Sequence, residues 1–133
     1  MKYMLDSNIC IYYIKRKPVK AVEKIKAYMW EGLCISAITL AELRHGASAS
    51  ACPERNSDAL NQFAAILEVL EFDGEAAEQY GIIRAELQRK GNLIGPFDML
   101  IAAHAKAKNL TLVTNNIREF ARVEGLRLEN WVE

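Results

Sequence analysis

Three short apolar runs, Tyr3 to Leu5, Leu33 to Ile35 and Leu110 to Val113, each stop at a polar residue and give way to helical periodicity. Strands that alternate with helices in this way pair in parallel, because right-handed crossovers return the chain over the faces of the sheet. The pattern predicts an α/β chain whose parallel sheet is covered on both faces. It also makes Asp6 the residue to explain. A carboxylate at the carboxyl end of a buried strand points into the crevice above the sheet, where open α/β folds place their ligands.

The remaining elements follow in order. Asn8 to Lys15 read as a short helix that Ser7 or Asn8 could cap. Beyond Pro18, the residues Val19, Val22, Ile25 and Met29 recur at helical spacing until Gly32. Ser36 ends the second strand as Asp6 ends the first, and Ile38 to Gly46 are helical, with Glu42 among Leu40, Ala41 and Leu43. Residues 47–53 form a connection of small and polar residues. Leu60, Phe63, Ala64, Leu67 and Leu70 predict a longer amphipathic helix, with an extended piece near residues 69–72. Ala76, Tyr80, Ile83 and Leu87 mark one face of the next helix, which Gly91 closes behind Arg89 and Lys90. Met99 to Ala107 are apolar on nearly every side except His104 and Lys106, so this helix should be buried, with Asp98 at its start. Thr114, Asn115 and Asn116 then turn the chain into a short helical segment, and Leu126 to Leu128 offer a last strand.

At 133 residues, about half of them apolar, the chain fits one domain spanning residues 1–133 with a single substantial core. No apolar run is long enough to span a bilayer and the N-terminus lacks the features of a signal peptide, which points to the cytoplasm and away from a membrane. Cys10, Cys34 and Cys52 are odd in number and widely spaced, as suits reduced packing cysteines better than disulfides, and His45 and His104 do not complete a zinc site. Seventeen basic and seventeen acidic residues cancel, so overall charge gives no support to a nucleic-acid partner. Locally, Lys15, Arg16, Lys17, Lys20, Lys24 and Lys26 are opposed only by Glu23, enough for a basic patch beside the first strand; a solvated helix face explains them equally well.

Four acids interrupt or abut apolar sequence: Asp6, Glu42, Asp98 and Glu119. Singly, each has a structural explanation. Asp6 and Asp98 stand where helix caps are favourable, Asn116 and Glu119 have the spacing of a capping box, and Glu42 could pair with Arg44 or His45 in the interior. Together they suggest more, because strand ends and helix starts of a parallel sheet open onto one rim. Carboxylates ~4 Å apart repel by roughly 4 kcal/mol per pair at an effective dielectric near 20, and a divalent cation reverses that sign. Oxygen ligands without matched Cys or His select Mg²⁺ or Mn²⁺ over Zn²⁺, and such ions act on phosphate esters. Asp6 and Asp98 are the natural first ligands, with Glu42 and Glu119 completing the ring directly or through water. Ser7, Asn8, Thr114 and Asn116 could orient those waters or a phosphate.

Four segments in order, MLDSNICIYYIK, ISAITLAELRHGA, GPFDMLIAAHA and LVTNNIREF, make the chain resemble PIN-domain ribonucleases of the VapC toxin type. The resemblance covers almost the full length. It implies a three-layer α/β/α sandwich, Mg²⁺-dependent endoribonuclease activity, a homodimer, and neutralisation by a cognate VapB-type antitoxin. Some members of the family cut structured RNA such as tRNA at one loop. The resemblance carries Asp6, Glu42 and Asp98 over directly. At the fourth position many relatives have an acid where this chain has Asn116, and Glu119 lies one helical turn later. Two other readings compete: a noncatalytic PIN-like module that binds RNA or protein, and a phosphotransfer enzyme with Asp6 as nucleophile. The latter lacks the second Asp two residues on, since position 8 is Asn.

Overall fold

The computed structural model describes residues 2–132. Five parallel strands, β1 (Tyr3–Leu5), β2 (Leu33–Ser36), β3 (Glu68–Leu70), β4 (Thr111–Val113) and β5 (Leu128–Glu129), form one sheet in the order β3-β2-β1-β4-β5. Seven α-helices flank it among the described residues: α1 (Ser7–Lys15), α2 (Val19–Tyr28), α3 (Ala37–Ser48), α4 (Pro53–Ala64), α5 (Gly74–Arg89), α6 (Pro96–Ala107) and α7 (Ile117–Phe120). None of the helices is long and apolar enough to cross a membrane.

Strand alternation sorts the layers. Met4 stands beside Cys34 and Leu112 in register, and these three join Ile83 and Leu87 of α5, Ile101 of α6 and Phe120 of α7 on one face. Tyr3, Leu5, Ile35 and Val113 project the other way, against Ile9 of α1, Ile25 of α2, Leu43 of α3 and Phe63 of α4. The C-terminal segment is fastened to this second core by Trp131, which stacks on Tyr28 and meets the edge of Tyr3. Because successive side chains of a strand point to opposite faces, strands of three or four residues are enough to build a sandwich with two cores.

After β1, the chain builds β2 and β3 on one side and then β4 and β5 on the other. The two directions diverge between β1 and β4, which is where a crevice opens at the carboxyl ends of the strands. Asp6 and Thr114 are the first residues past those two ends.

Several local expectations change. Neither Ser7 nor Asn8 caps α1; Asp6 does, its Oδ1 accepting the Ile9 N–H at 2.9 Å. The periodicity of Leu67 and Leu70 does not extend α4, which stops at Ala64; Leu67 lies in a turn and Leu70 pairs in β3 beside Ser36. Pairing with β2 outweighs helical spacing there, and it moves the extended piece to residues 68–70. The connection after α3 shortens to residues 49–52, and the last strand falls at Leu128–Glu129. Cys10 and Cys34 are buried as expected of packing cysteines, whereas Cys52 is exposed.

Candidate active site

Asp6 is 5% exposed and held from three sides. Its backbone N–H donates to the Val113 carbonyl at 3.0 Å, which fixes it to β4; its carboxylate receives Ile9 N–H and a hydrogen bond from the Thr114 side chain. Burial raises its pKa, those hydrogen bonds pull it down, and the charge of Glu42 adds to the rise, leaving it raised from its ordinary value. Capping α1 and facing Glu42 are thus compatible roles.

Glu42 is half-buried, one helical turn and a half into α3. It pairs with neither neighbour considered from the sequence. Arg44 donates instead to Asn61 at 2.6 Å and His45 is exposed, while Glu42 Oε1 accepts the Ser7 hydroxyl at 2.8 Å from a helix 35 residues away.

Asp98 sits in the first turn of α6, whose N-cap is Gly95 with no side-chain cap bond. Its pKa is pushed up to about 6, first by burial, then by the negative charges of Glu119, Glu42 and Asp6, and by a hydrogen bond with Glu119. Acids from four separate segments thus come within reach of one another's charge around Asp98.

Glu119 lies on α7 and makes no capping box: its Oε2 accepts Asn116 Nδ2 at 3.1 Å, while the Asn116 backbone N–H goes to Thr114 Oγ1 at 2.9 Å. Thr114 thus touches Asp6 on one side and the Asn116–Glu119 pair on the other, and is itself fully buried. Asn8 is exposed. Together with Ser7, Glu42 and Lys15 it lines a cavity of about 470 Å³ between α1, α3 and α4 that has Ile11, Ile14, Leu43 and Leu60 among its apolar walls. Asp98 and Glu119 are outside those walls, so the cavity adjoins the acids without enclosing them.

With this geometry in place, comparison with known proteins is direct: the family model described as PIN domain matches residues 3–126. The chain belongs to the PIN-domain family. It is 49% identical over 131 residues to a Shigella flexneri protein named tRNA(fMet)-specific endonuclease VapC, covering 98% of each. The solved structure of DNA-bound VapBC from Salmonella typhimurium contains a similar chain, with TM-score 0.93 and 49% identity over 98% of both chains. VapBC2 from Rickettsia felis, bound to a DNA fragment from its promoter, gives TM-score 0.93 at 44% identity over 98% of this chain and 99% of that one. Within the PIN-domain family, this chain is of the VapC type.

The donor set of this PIN domain fits a hard divalent cation. It offers oxygens alone, at a rim where burial and then the neighbouring negative charges raise the Asp98 carboxyl to about 6. Among the described residues, no three acid, His or Cys side chains are gathered tightly enough to enclose an ion. The carboxylates would have to draw together and share the shell with water. One further pair borders the rim and went unnoticed in the sequence: Asn115 Nδ2 donates to the Tyr12 hydroxyl at 2.8 Å, bridging the β4 turn to α1. Tyr12 lies in an apolar helix and Asn115 in a turn, so only their meeting gives them interest.

Proposed function

We propose that this chain is the toxin of a type II toxin–antitoxin pair: an endoribonuclease that hydrolyses RNA phosphodiester bonds with Mg²⁺ or Mn²⁺ and is silenced by a VapB-type antitoxin. The observation that supports this reading is the gathering of Asp6, Glu42 and Glu119 around Asp98 at the switch point of the sheet, where burial and then the charges of those three acids raise the Asp98 carboxyl to about 6. The relative at 49% identity is named for cleavage of tRNA(fMet), which makes tRNA the substrate class of choice. As one PIN domain the chain would act in the cytoplasm, as a homodimer.

In this reading Asp6 and Asp98 would hold the ion, with Glu42 and Glu119 contributing directly or through water. A bound Mg²⁺ or Mn²⁺ would supply Lewis-acid polarisation of a phosphoryl oxygen and a more acidic water. The other side chains keep the acids in place. Ser7 orients Glu42, Thr114 holds Asp6, and Asn116 holds Glu119. Asn8, exposed at the start of α1, is free to meet substrate.

The deciding experiment incubates purified, partner-free protein with total tRNA, with Mg²⁺ or with chelator, and maps new RNA ends. Defined new ends should form with Mg²⁺ and vanish with chelator, with Asp6→Asn and with Asp98→Asn. Cleavage that persists in those variants would remove the acids from the mechanism, and no cleavage by the wild-type chain would leave the noncatalytic binding module.

A further inference from the structure

We propose that the buried hydrogen bond between His104 and Ser36 is a positioning tie that sets how far Asp98 stands from Glu42. Its consequence for metal binding rests on the function proposed above, while the tie itself rests on the geometry of His104 and Ser36.

Ser36 is the N-cap of α3, its Oγ accepting the Ile38 N–H at 3.1 Å, and Glu42 follows six residues later. Asp98 lies in the first turn of α6, and His104 follows six residues later. His104 Nδ1 is 2.8 Å from Ser36 Oγ, and both residues are fully buried. The two helices are thus related head to tail by two rungs. One rung is Ser36 with His104; the other is Glu42 with Asp98, which sense each other's charge. Each partner stands ~9 Å along its helix from the other rung, at 1.5 Å per residue.

The two rungs pull in opposite senses. Like charges at the acid rung push the helices apart, and apolar contacts alone resist sliding poorly because they are non-directional. A hydrogen bond out of reach of water has a fixed length and direction, and breaking it strands two buried polar groups. The choice of residue supports this role. His104 lies between Ala103 and Ala105 in a stretch of α6 that is buried from Ile101 to Ala105, where an aliphatic side chain would fill space without any polar group to satisfy. The well-formed hydrogen bond of the ring is the one at Nδ1. Nε2 has no partner in good hydrogen-bond geometry, although the Glu71 backbone lies near enough to act on the ring, and Phe72 packs edge-on to it at 5.4 Å between centroids. The Nδ1 side therefore carries the directional contact.

That asymmetry supplies the test. His104→Asn puts an amide where Nδ1 stands and keeps a bond to Ser36; His104→Gln puts it near Nε2 and loses that bond. Ser36→Ala removes the other partner, uncapping α3 as well. Phe63→Leu, in the opposite core, controls for lost stability. Two readouts are taken on metal-free protein: backbone amide shifts of Asp98 and Glu42 by NMR, and Mn²⁺ affinity by titration. His104→Gln and Ser36→Ala should move both resonances and weaken Mn²⁺ by about tenfold, the low end for groups that orient a ligand. His104→Asn should stay within about threefold of wild type, and Phe63→Leu should change neither readout. Equal behaviour of His104→Asn and His104→Gln, or effects no larger than those of Phe63→Leu, would overturn the tie. Should wild-type protein neither bind Mn²⁺ nor cut RNA, the nuclease reading falls and the amide shifts alone decide the tie.

Discussion

At Asp98 the charge that would hold a cation works against folding when no cation is present. Its carboxyl titrates near 6 in the folded chain against an ordinary 3.8, so the folded state favours the protonated form. A raised folded pKa means stability that is complete below the unfolded value and lost as pH climbs through the folded one. In chelator, the protein should therefore lose stability from Asp98 between about pH 4 and pH 6. For a half-buried group, screened by solvent, the loss is on the order of 1–2 kcal/mol. Asp98→Asn removes the carboxyl and should gain that amount at pH 7 while matching wild type near pH 4, as read by urea unfolding at the two values. A constant difference between the two proteins at both pH values would mean that Asp98 is not held protonated. Asp6 shifts in the same direction, also first through burial, so Asp6→Asn should show the same sign.

The end of α1 poses its question at the scale of an element. Lys15 closes the helix, Arg16 follows in the left-handed conformation with its guanidinium over Tyr13, and Lys17 is exposed. Lys15 also lines the cavity that reaches Ser7 and Glu42, so this helix points its basic end away from the acids along a continuous wall. If an RNA strand leaving the acids follows that wall, Lys15→Glu with Lys17→Glu should weaken binding and lower the salt slope by about 0.7 per lost phosphate contact. An unchanged slope would return the segment to a solvated face. Elements of this kind were legible from periodicity: the three central strands and most helices stand where the apolar pattern put them. What periodicity could not supply was ends and meetings. Leu67 and Leu70 keep helical spacing although β3 claims Leu70, because spacing does not reveal that an unpaired edge of β2 waits nearby. Asp6 looked like a cap or a ligand, and the cap is what the structure shows, with one oxygen serving Ile9 while the group still senses the charge of Glu42. The link from Ser36 to His104 spans 68 residues, and nothing local to either residue announces it.

Over the whole molecule, the two cores supply the stability and the rim gathers the charge. The cores hold the strands through Met4, Leu5, Ile35 and Leu112, all fully buried, and fasten the C-terminal segment through Trp131. That scaffold keeps Asp6 and Asp98 from relaxing apart, so the repulsion between the acids is relieved by a proton, by screening or by a bound cation. These three remedies have different signatures. A ligand that binds only the folded chain stabilises it by RT ln(1 + [L]/Kd), about 2.7 kcal/mol at a hundred times Kd, which exceeds the loss expected from Asp98 alone. Mg²⁺ at saturating concentration should therefore raise the Tm of wild-type protein at pH 7.5 by several degrees. NaCl at the same ionic strength should raise it much less, because screening acts weakly over the short distances of a half-buried cluster. Asp98→Asn should begin with the higher Tm in chelator and respond little to Mg²⁺, so the two melting curves converge or cross as the metal is added. If NaCl reproduced the whole shift, or if Asp98→Asn gained as much as wild type, the cluster would be a patch of diffuse negative charge and the cation would have no defined seat among these four acids.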